Sequence, residues 1–240
     1  MSEVGEKYLA FCRELGPQIT IVGVAKGQPV AKIEEAIASG LQVVANNYVQ
    51  EGQDLIQAIS ALEGNSVSAA MLNAERNPSD RFLSFDRRVA WHFIGHIQSR
   101  KAKALLPYDC VQSLDRLSVA TTLSRELESK KASLEVLVQV NIGQEPQKSG
   151  VLPQDLPTFL EALSAFPQLK LKGLMAIPPL TSQPEGRRPY FKMMRRLFEQ
   201  HQKTYFLSVL SMGMSDDYRI AAEEGSTMVR LGTLLFGSRT

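Results

Sequence analysis

Lys26 closes the apolar run Ile19-Thr20-Ile21-Val22-Gly23-Val24-Ala25, and Gly27-Gln28-Pro29 breaks the chain directly after it. An ammonium at the end of a buried strand is costly to desolvate, so it is either drawn out to water or used unprotonated as an amine nucleophile. Snorkelling to water is the commoner fate of such a lysine. A second cluster lies near the end of the chain, where Ser208-Val209-Leu210-Ser211-Met212-Gly213-Met214-Ser215-Asp216-Asp217 is followed by Gly225-Ser226-Thr227-Met228-Val229-Arg230-Leu231-Gly232-Thr233. Small hydroxyl residues and glycines after the last strands of an α/β barrel can bind phosphate through backbone N–H groups and a short helix N-terminus. Ser211, Gly232 and Thr233 are the candidate cradle, while Ser215 or Asp216 is expected to cap the helix that follows.

Other chemistries lack their residues. No glycine is followed by lysine and no two glycines stand two apart, which removes the Walker A loop and the GxGxxG fingerprint. His92 and His96 are four apart, but Phe93 holds the place of the glutamate in HExxH, and the expected strand-to-loop context does not put both rings on one helix face. Structural roles are expected for both, with no metal. Only Cys12 and Cys110 are present, far apart, which suits a reducing compartment rather than a disulfide framework.

These residues need a scaffold, and the chain supplies a repeated one. Candidate strands are Ile19 to Ala25, Gln42 to Ala45, Ala90 to Ile94, Cys110 to Ser113, Leu134 to Asn141, Leu171 to Ile177, Phe206 to Met212 and Met228 to Leu231. Between them run helical patterns such as Val30, Ile33, Ile37 and Leu117, Ala120, Leu123, Leu127. A helix before the first strand is carried by Val4, Tyr8, Phe11, Cys12 and Leu15 and stopped by Gly16-Pro17. Residues Gly64 to Asp86 have little periodicity and read as a loop or irregular helix. Strands alternating with helices point to a (β/α)₈ TIM barrel occupying residues 1–240 as a single domain. The short runs Gln42 to Ala45 and Cys110 to Ser113 would also suit edge strands of a doubly wound sheet. In a closed barrel the last strand pairs with the first, so Lys26 and the cradle become neighbours.

With 44% hydrophobic and 22% charged residues, and 27 basic against 25 acidic side chains, the composition is that of an ordinary globular protein. A net charge of +2 argues against a nucleic-acid or membrane surface. The basic clusters Arg100-Lys101-Ala102-Lys103, Arg187-Arg188 and Lys192 to Arg196 read as solvated helix faces, with anion binding by Arg100 and Lys101 as an alternative. No apolar h-region and no run of 18 apolar residues occurs, so a cytoplasmic location is expected.

Several blocks in order carry a specific resemblance: Val24-Ala25-Lys26, Asn47-Tyr48-Val49-Gln50-Glu51, Trp91-His92-Phe93-Ile94-Gly95-His96-Ile97-Gln98, Gln139-Val140-Asn141-Ile142, Lys148-Ser149-Gly150, Gly173-Leu174-Met175, Leu210-Ser211-Met212-Gly213-Met214-Ser215 and Val229-Arg230-Leu231-Gly232-Thr233. From about Ile19 to Arg239 the chain resembles the pyridoxal phosphate homeostasis protein family. The resemblance implies a barrel like the N-terminal domain of alanine racemase, with pyridoxal 5′-phosphate as a Schiff base on Lys26. It also implies that Asn47 belongs to the cofactor site, that phosphate sits around Ser211, Gly232 and Thr233, and that the pyridine nitrogen faces Arg230. The chain departs from the usual family pattern at Gln28, where a second lysine is common, and at Asn46, where a glutamate is common. Both changes are expected to alter charge near the cofactor mouth. Gly143 to Gln147 also departs, with Glu145 and Lys148 keeping their places; Lys148 is a candidate second amine.

A permanently charged Arg230 at the pyridine nitrogen would resist ring protonation and leave a poorer electron sink than a carboxylate partner does. Alanine racemases also take a tyrosine base from a second, β-rich domain, for which these 240 residues are expected to have no room. The expected function is therefore a carrier that holds pyridoxal phosphate without robust catalysis, as a monomer or weak dimer, with apo-enzymes as possible recipients. A pyridoxal-phosphate-dependent amino-acid racemase or related lyase is the alternative. Trp91 to His96 and Asn141 are expected further round the same rim, where an aromatic or imidazole group could pack on the pyridine ring.

Overall fold

Our computed structural model describes residues 2–66 and 89–238, the side chains of 62–66 excepted. Helix α1 (Glu3–Leu15) precedes β1 (Thr20–Val24), and α2 (Val30–Ala38), β2 (Val43–Asn46), α3 (Val49–Ser66) and β3 (Ala90–Phe93) follow. A 3₁₀ turn, Ser99–Leu105, stands where the next helix would be. Then come β4 (Cys110–Leu114), α4 (Leu117–Ser129), β5 (Leu134–Val140), α5 (Leu156–Leu163), β6 (Leu169–Ala176), α6 (Arg188–Tyr205), β7 (Val209–Met214), α7 (Tyr218–Glu223), β8 (Met228–Leu231) and α8 (Thr233–Phe236). The strands close in sequence order into a parallel barrel, with β8 pairing β1 through Val22 opposite Arg230 and Gly23 opposite Leu231.

Closure settles the status of the two short strands. Val43 to Asn46 pairs with Ala90 to Phe93, and Cys110 pairs with both His92 and Glu135, so β2 and β4 are interior members of the barrel and not edges. Side chains alternate across each strand. Val22, Val43, Ala45 and Met228 pack with Ala90, Ile94 and Val209 inside the lumen. Cys110, Leu137 and Met175 join Val209 there. The intervening Ile21, Val44, Trp91, Phe93, Val229 and Leu231 face outward into the main core beneath the helices. Gly173 lets β6 and β7 approach, since a Cβ there would lie 1.7 Å from the Val209 carbonyl oxygen.

Two sequence expectations shift. The seventh strand begins at Val209 rather than Phe206, because Phe206 takes a left-handed conformation (φ 53°) that ends α6 and turns the chain toward the sheet. Of the stretch read as a loop or irregular helix, Gly64 to Ser66 finish α3 and the rest lies outside the described residues.

Candidate functional site

Lys26 lies in the turn two residues beyond the end of β1, at the C-terminal mouth of the barrel. Its ammonium lies 4.8 Å from the centre of the Tyr48 ring, which is 56% exposed at the end of β2. A cation over an aromatic face is attracted by the ring quadrupole, so Tyr48 steadies the amine. The adjoining turn is pinned by Glu51, whose Oε1 accepts from the Gly27 amide at 2.5 Å. Gln28 donates to the Gly237 carbonyl (3.1 Å) and Lys32 to that of Phe236 (2.8 Å). The Gln28 departure thus ties the segment after Lys26 to the carboxyl end of α8, the helix that Thr233 begins.

Arg230 is the charged group of the lumen. It is 2% exposed, and Nη1 donates to the Ser211 carbonyl and hydroxyl oxygens (2.9 and 2.7 Å) while Nη2 donates to the Ala176 carbonyl (3.0 Å). None of these acceptors is a carboxylate, and Nε–H has no acceptor among the described residues. Burial lowers its pKa to about 10, which leaves it charged near neutrality. The Ser211 hydroxyl continues to Gln112 Oε1 (2.7 Å), and Gln112 Nε2 reaches His92 Nδ1 (2.8 Å) and the Met228 sulfur (3.3 Å).

His92 is consequently a buried, neutral imidazole. Burial pushes its pKa from 6.5 down to about 4. Between those values the unfolded chain binds a proton that the folded protein refuses, so stability falls as the pH drops through that window. This residue's share is about 3 kcal/mol. The expected result is a steeper loss of melting temperature below pH 6.5 in the wild type than in His92→Asn. Parallel curves would contradict it.

The candidate cradle divides. Ser211 lies inside the lumen with its hydroxyl committed to Arg230 and Gln112, whereas Gly232 and Thr233 stand at the mouth, where β8 gives way to α8. A Cβ on Gly232 would approach nothing closer than 3.6 Å, in Val24, so the backbone there has room for a ligand. The first amides of α8 lack intrahelical partners. That of Leu234 reaches Ser215 Oγ at 3.5 Å, which brings Ser215, rather than Ser211, beside α8. Neither Ser215 nor Asp216 caps α7: Asp217 occupies the N-cap position, and its Oδ1 accepts from the Met214 amide at 2.7 Å. Its Oδ2 is 2.9 Å from Arg187 Nη1, an ion pair with side chains only 0% and 8% exposed.

Around the remaining rim, Asn47 stands one residue beyond β2, and its Oδ1 is covered but has no hydrogen-bond partner among the described residues. Its backbone is held close to Gly95, where a Cβ would lie 1.9 Å from the Asn47 carbonyl oxygen. Asn46 does not bear on the mouth, contrary to expectation. Strand alternation turns it outward toward α3, near Gly52 and the Tyr108 hydroxyl, where both of its polar atoms are buried and unpartnered. Trp91 likewise faces the helices, not the rim. Asn141 is spent on the β5–α5 loop, donating to Glu145 and Lys148 carbonyls and accepting from the Glu145 amide. Lys148 pairs with Glu145 at 2.5 Å and donates to the Pro178 carbonyl, so it is tethered rather than free. His96 lies exposed beyond β3, with Nδ1 2.9 Å from Ser149 Oγ.

A parallel barrel with an amine at the end of β1 and an open helix start after β8 has clear relatives. Residues 14–240 match the family described as alanine racemase, N-terminal domain. Alanine racemase of Clostridium difficile 630 shares this fold at a TM-score of 0.69 with 14% identity, over 98% of this chain and 57% of that one. Nearer in sequence is the pyridoxal phosphate homeostasis protein of Aquifex aeolicus, 34% identical over 100% of this chain and 96% of that protein. That of Pseudomonas aeruginosa is 37% identical over 92% and 85%. PipY of Synechococcus elongatus, solved with PLP bound, superposes at a TM-score of 0.80 with 28% identity, covering 98% of this chain and all of that one. The chain belongs to the pyridoxal phosphate homeostasis protein family.

Proposed function

We propose that this protein binds pyridoxal 5′-phosphate for intracellular pyridoxal phosphate homeostasis, holding it covalently through Lys26 without robust catalysis. The observation that carries the reading is Arg230, a buried guanidinium with no carboxylate among its acceptors and with Nε–H unpaired. Such a charge is costly to bury, and a ligand that brings an electron pair and negative charge offsets that cost. Arg230 Nε–H would donate to a pyridine nitrogen, and Lys26 would supply the amine for an aldehyde. Gly232, Thr233 and the first amides of α8, with Ser215 beside them, supply donors for a phosphate. The covered, unpartnered Oδ1 of Asn47 offers an acceptor to a ring substituent.

When bound, the group supplies an aldehyde and an electron-withdrawing ring. Arg230 then sets a limit on reactivity, because a guanidinium that stays charged resists protonation of the pyridine nitrogen and weakens the ring as an electron sink. Storage and release therefore fit better than racemisation or lysis. Incubation with alanine in D₂O is expected to leave the α-proton in place. Rapid exchange would favour the racemase alternative. Thr233→Val is expected to weaken pyridoxal phosphate retention by about 1.5–3 kcal/mol through loss of a hydrogen bond to a charged group, and equal affinity would count against the cradle.

Among the described residues no helix is long and apolar enough to cross a membrane. Cys12 and Cys110 are both free, which supports a reducing cytoplasm as the protein's location. A monomer or weak dimer that passes its cofactor to apo-enzymes completes the reading. Activation of an apo-enzyme by the loaded protein, compared with an equal amount of free pyridoxal phosphate, tests the transfer.

A further inference from the structure

The lumen of a parallel barrel is ordinarily filled with apolar side chains, and here it is crossed by four polar ones from four strands: Arg230 of β8, Ser211 of β7, Gln112 of β4 and His92 of β3. Each is at most 7% exposed, with Gln112 and Ser211 at 0%. An unpaired polar group in a buried chain is costly, so the direction of each hydrogen bond, and which donor is left over, matters. That direction can be derived from one end. A guanidinium only donates, so Ser211 Oγ, 2.7 Å from Nη1, must accept, and its own hydrogen is free to go to Gln112 Oε1 at 2.7 Å. The Gln112 amide nitrogen is then turned to His92 Nδ1 at 2.8 Å, which must accept in turn. A neutral imidazole that accepts at Nδ1 carries its proton at Nε2. The thioether of Met228 gives an independent check. It lies 3.3 Å from Gln112 Nε2, and a weak acceptor suits the amide nitrogen there, not the oxygen.

We propose that Gln112 is a positioning residue: through Ser211 it holds the Arg230 guanidinium so that Nε–H is left for the ligand, and it fixes His92 as the Nε2–H tautomer. The part concerning the ligand rests on pyridoxal phosphate being that ligand; the part concerning His92 does not. Gln112 suits this role because it alone among the four both accepts and donates through separate atoms of one rigid amide. It converts the one-way polarity of arginine on β8 into a fixed state of a histidine on β3, three strands round the barrel. Glutamate at the same position would accept from Ser211 but could not donate to Nδ1.

The test reads both ends of the chain. Long-range ¹H–¹⁵N spectra of the ligand-free protein report the tautomer of each of its three histidines, with His92 assigned by elimination in His96→Gln and His201→Gln. Wild-type His92 is expected as Nε2–H at neutral pH, and in Gln112→Glu the proton is expected to appear on Nδ1, facing the new carboxylate. Nδ1–H in the wild type, or no change in a folded Gln112→Glu, would overturn the proposal. At the other end, Ser211→Ala removes the link to Gln112 with little change in volume. It is expected to raise the Kd for pyridoxal phosphate roughly tenfold or more and to shift the absorbance maximum of the bound form, leaving the affinity for inorganic phosphate unchanged. Wild-type affinity and spectrum in Ser211→Ala would also overturn it. A wild type that binds no pyridoxal phosphate would instead sink the proposed function, and the His92 tautomer would then decide the role of Gln112.

Discussion

Lys26→Ala is expected to abolish covalent capture of pyridoxal phosphate completely while leaving the fold in place. The lysine sits at the barrel mouth beside the exposed Tyr48, outside the packed clusters of the lumen and the helix layer. Its removal therefore takes away an amine and little packing, and surface changes of this kind usually stay within about 0.5 kcal/mol. The phosphate donors around Gly232 and Thr233 and the Nε–H of Arg230 would remain, so weak non-covalent binding should persist. Borohydride treatment followed by intact-mass measurement checks this. An adduct of undiminished yield in the variant would mean that another amine does the work. Lys148 is poorly placed for it, held by Glu145 and Pro178.

The largest stability effect is expected at Asp217. Asp217→Ala would leave the Arg187 guanidinium buried without its carboxylate and the Met214 amide without its acceptor. Breaking one side of a buried ion pair typically costs about 3–5 kcal/mol, a large part of the roughly 5–15 kcal/mol that holds a protein folded. The same carboxylate fixes the turn from Met214 to Asp217 that presents Ser215 to α8, so cofactor retention should fall with stability. Asp217→Asn keeps an oxygen for the Met214 amide and should lose less. Paired replacement with Arg187→Met and Asp217→Leu should recover much of the loss, because the uncompensated charge disappears with its partner. Urea midpoints for the three proteins decide the matter; an Asp217→Ala loss below about 1 kcal/mol would contradict the argument.

The barrel was readable because each strand is a short apolar run punctuated by turn residues, and Lys26 stood out as a charge closing such a run. The position of Gly232 and Thr233 at the barrel mouth was readable for a related reason, since they follow β8 with no intervening loop. Ser211 misled. Counting along the strand puts it near the cradle, but β7 runs on to Met214, so Ser211 lies inside the lumen and Ser215 beside α8; β7 also carries a register shift between Ser211 and Met214. A bulge of that kind has no dependable mark in a sequence, although Gly213, with φ +93°, is consistent with one. Asn46 was legible in principle, because alternation from Val43 and Ala45 places it outward; the expectation of a charge effect at the mouth overlooked that parity. Gln112 and the Arg187–Asp217 pair could not be found this way. Their partners lie 20 to 116 and 30 residues away along the chain, and only closure of the sheet brings them together.

The absorption spectrum of the purified protein from about 300 to 500 nm, before and after borohydride and followed by peptide mapping, tests the central claim most directly. A lysine-bound pyridoxal phosphate predicts a band near ~420 nm that reduction abolishes, with the label on the peptide containing Lys26. A protein that stays colourless after addition of pyridoxal phosphate, or a label confined to a different lysine, would contradict the assignment of Lys26.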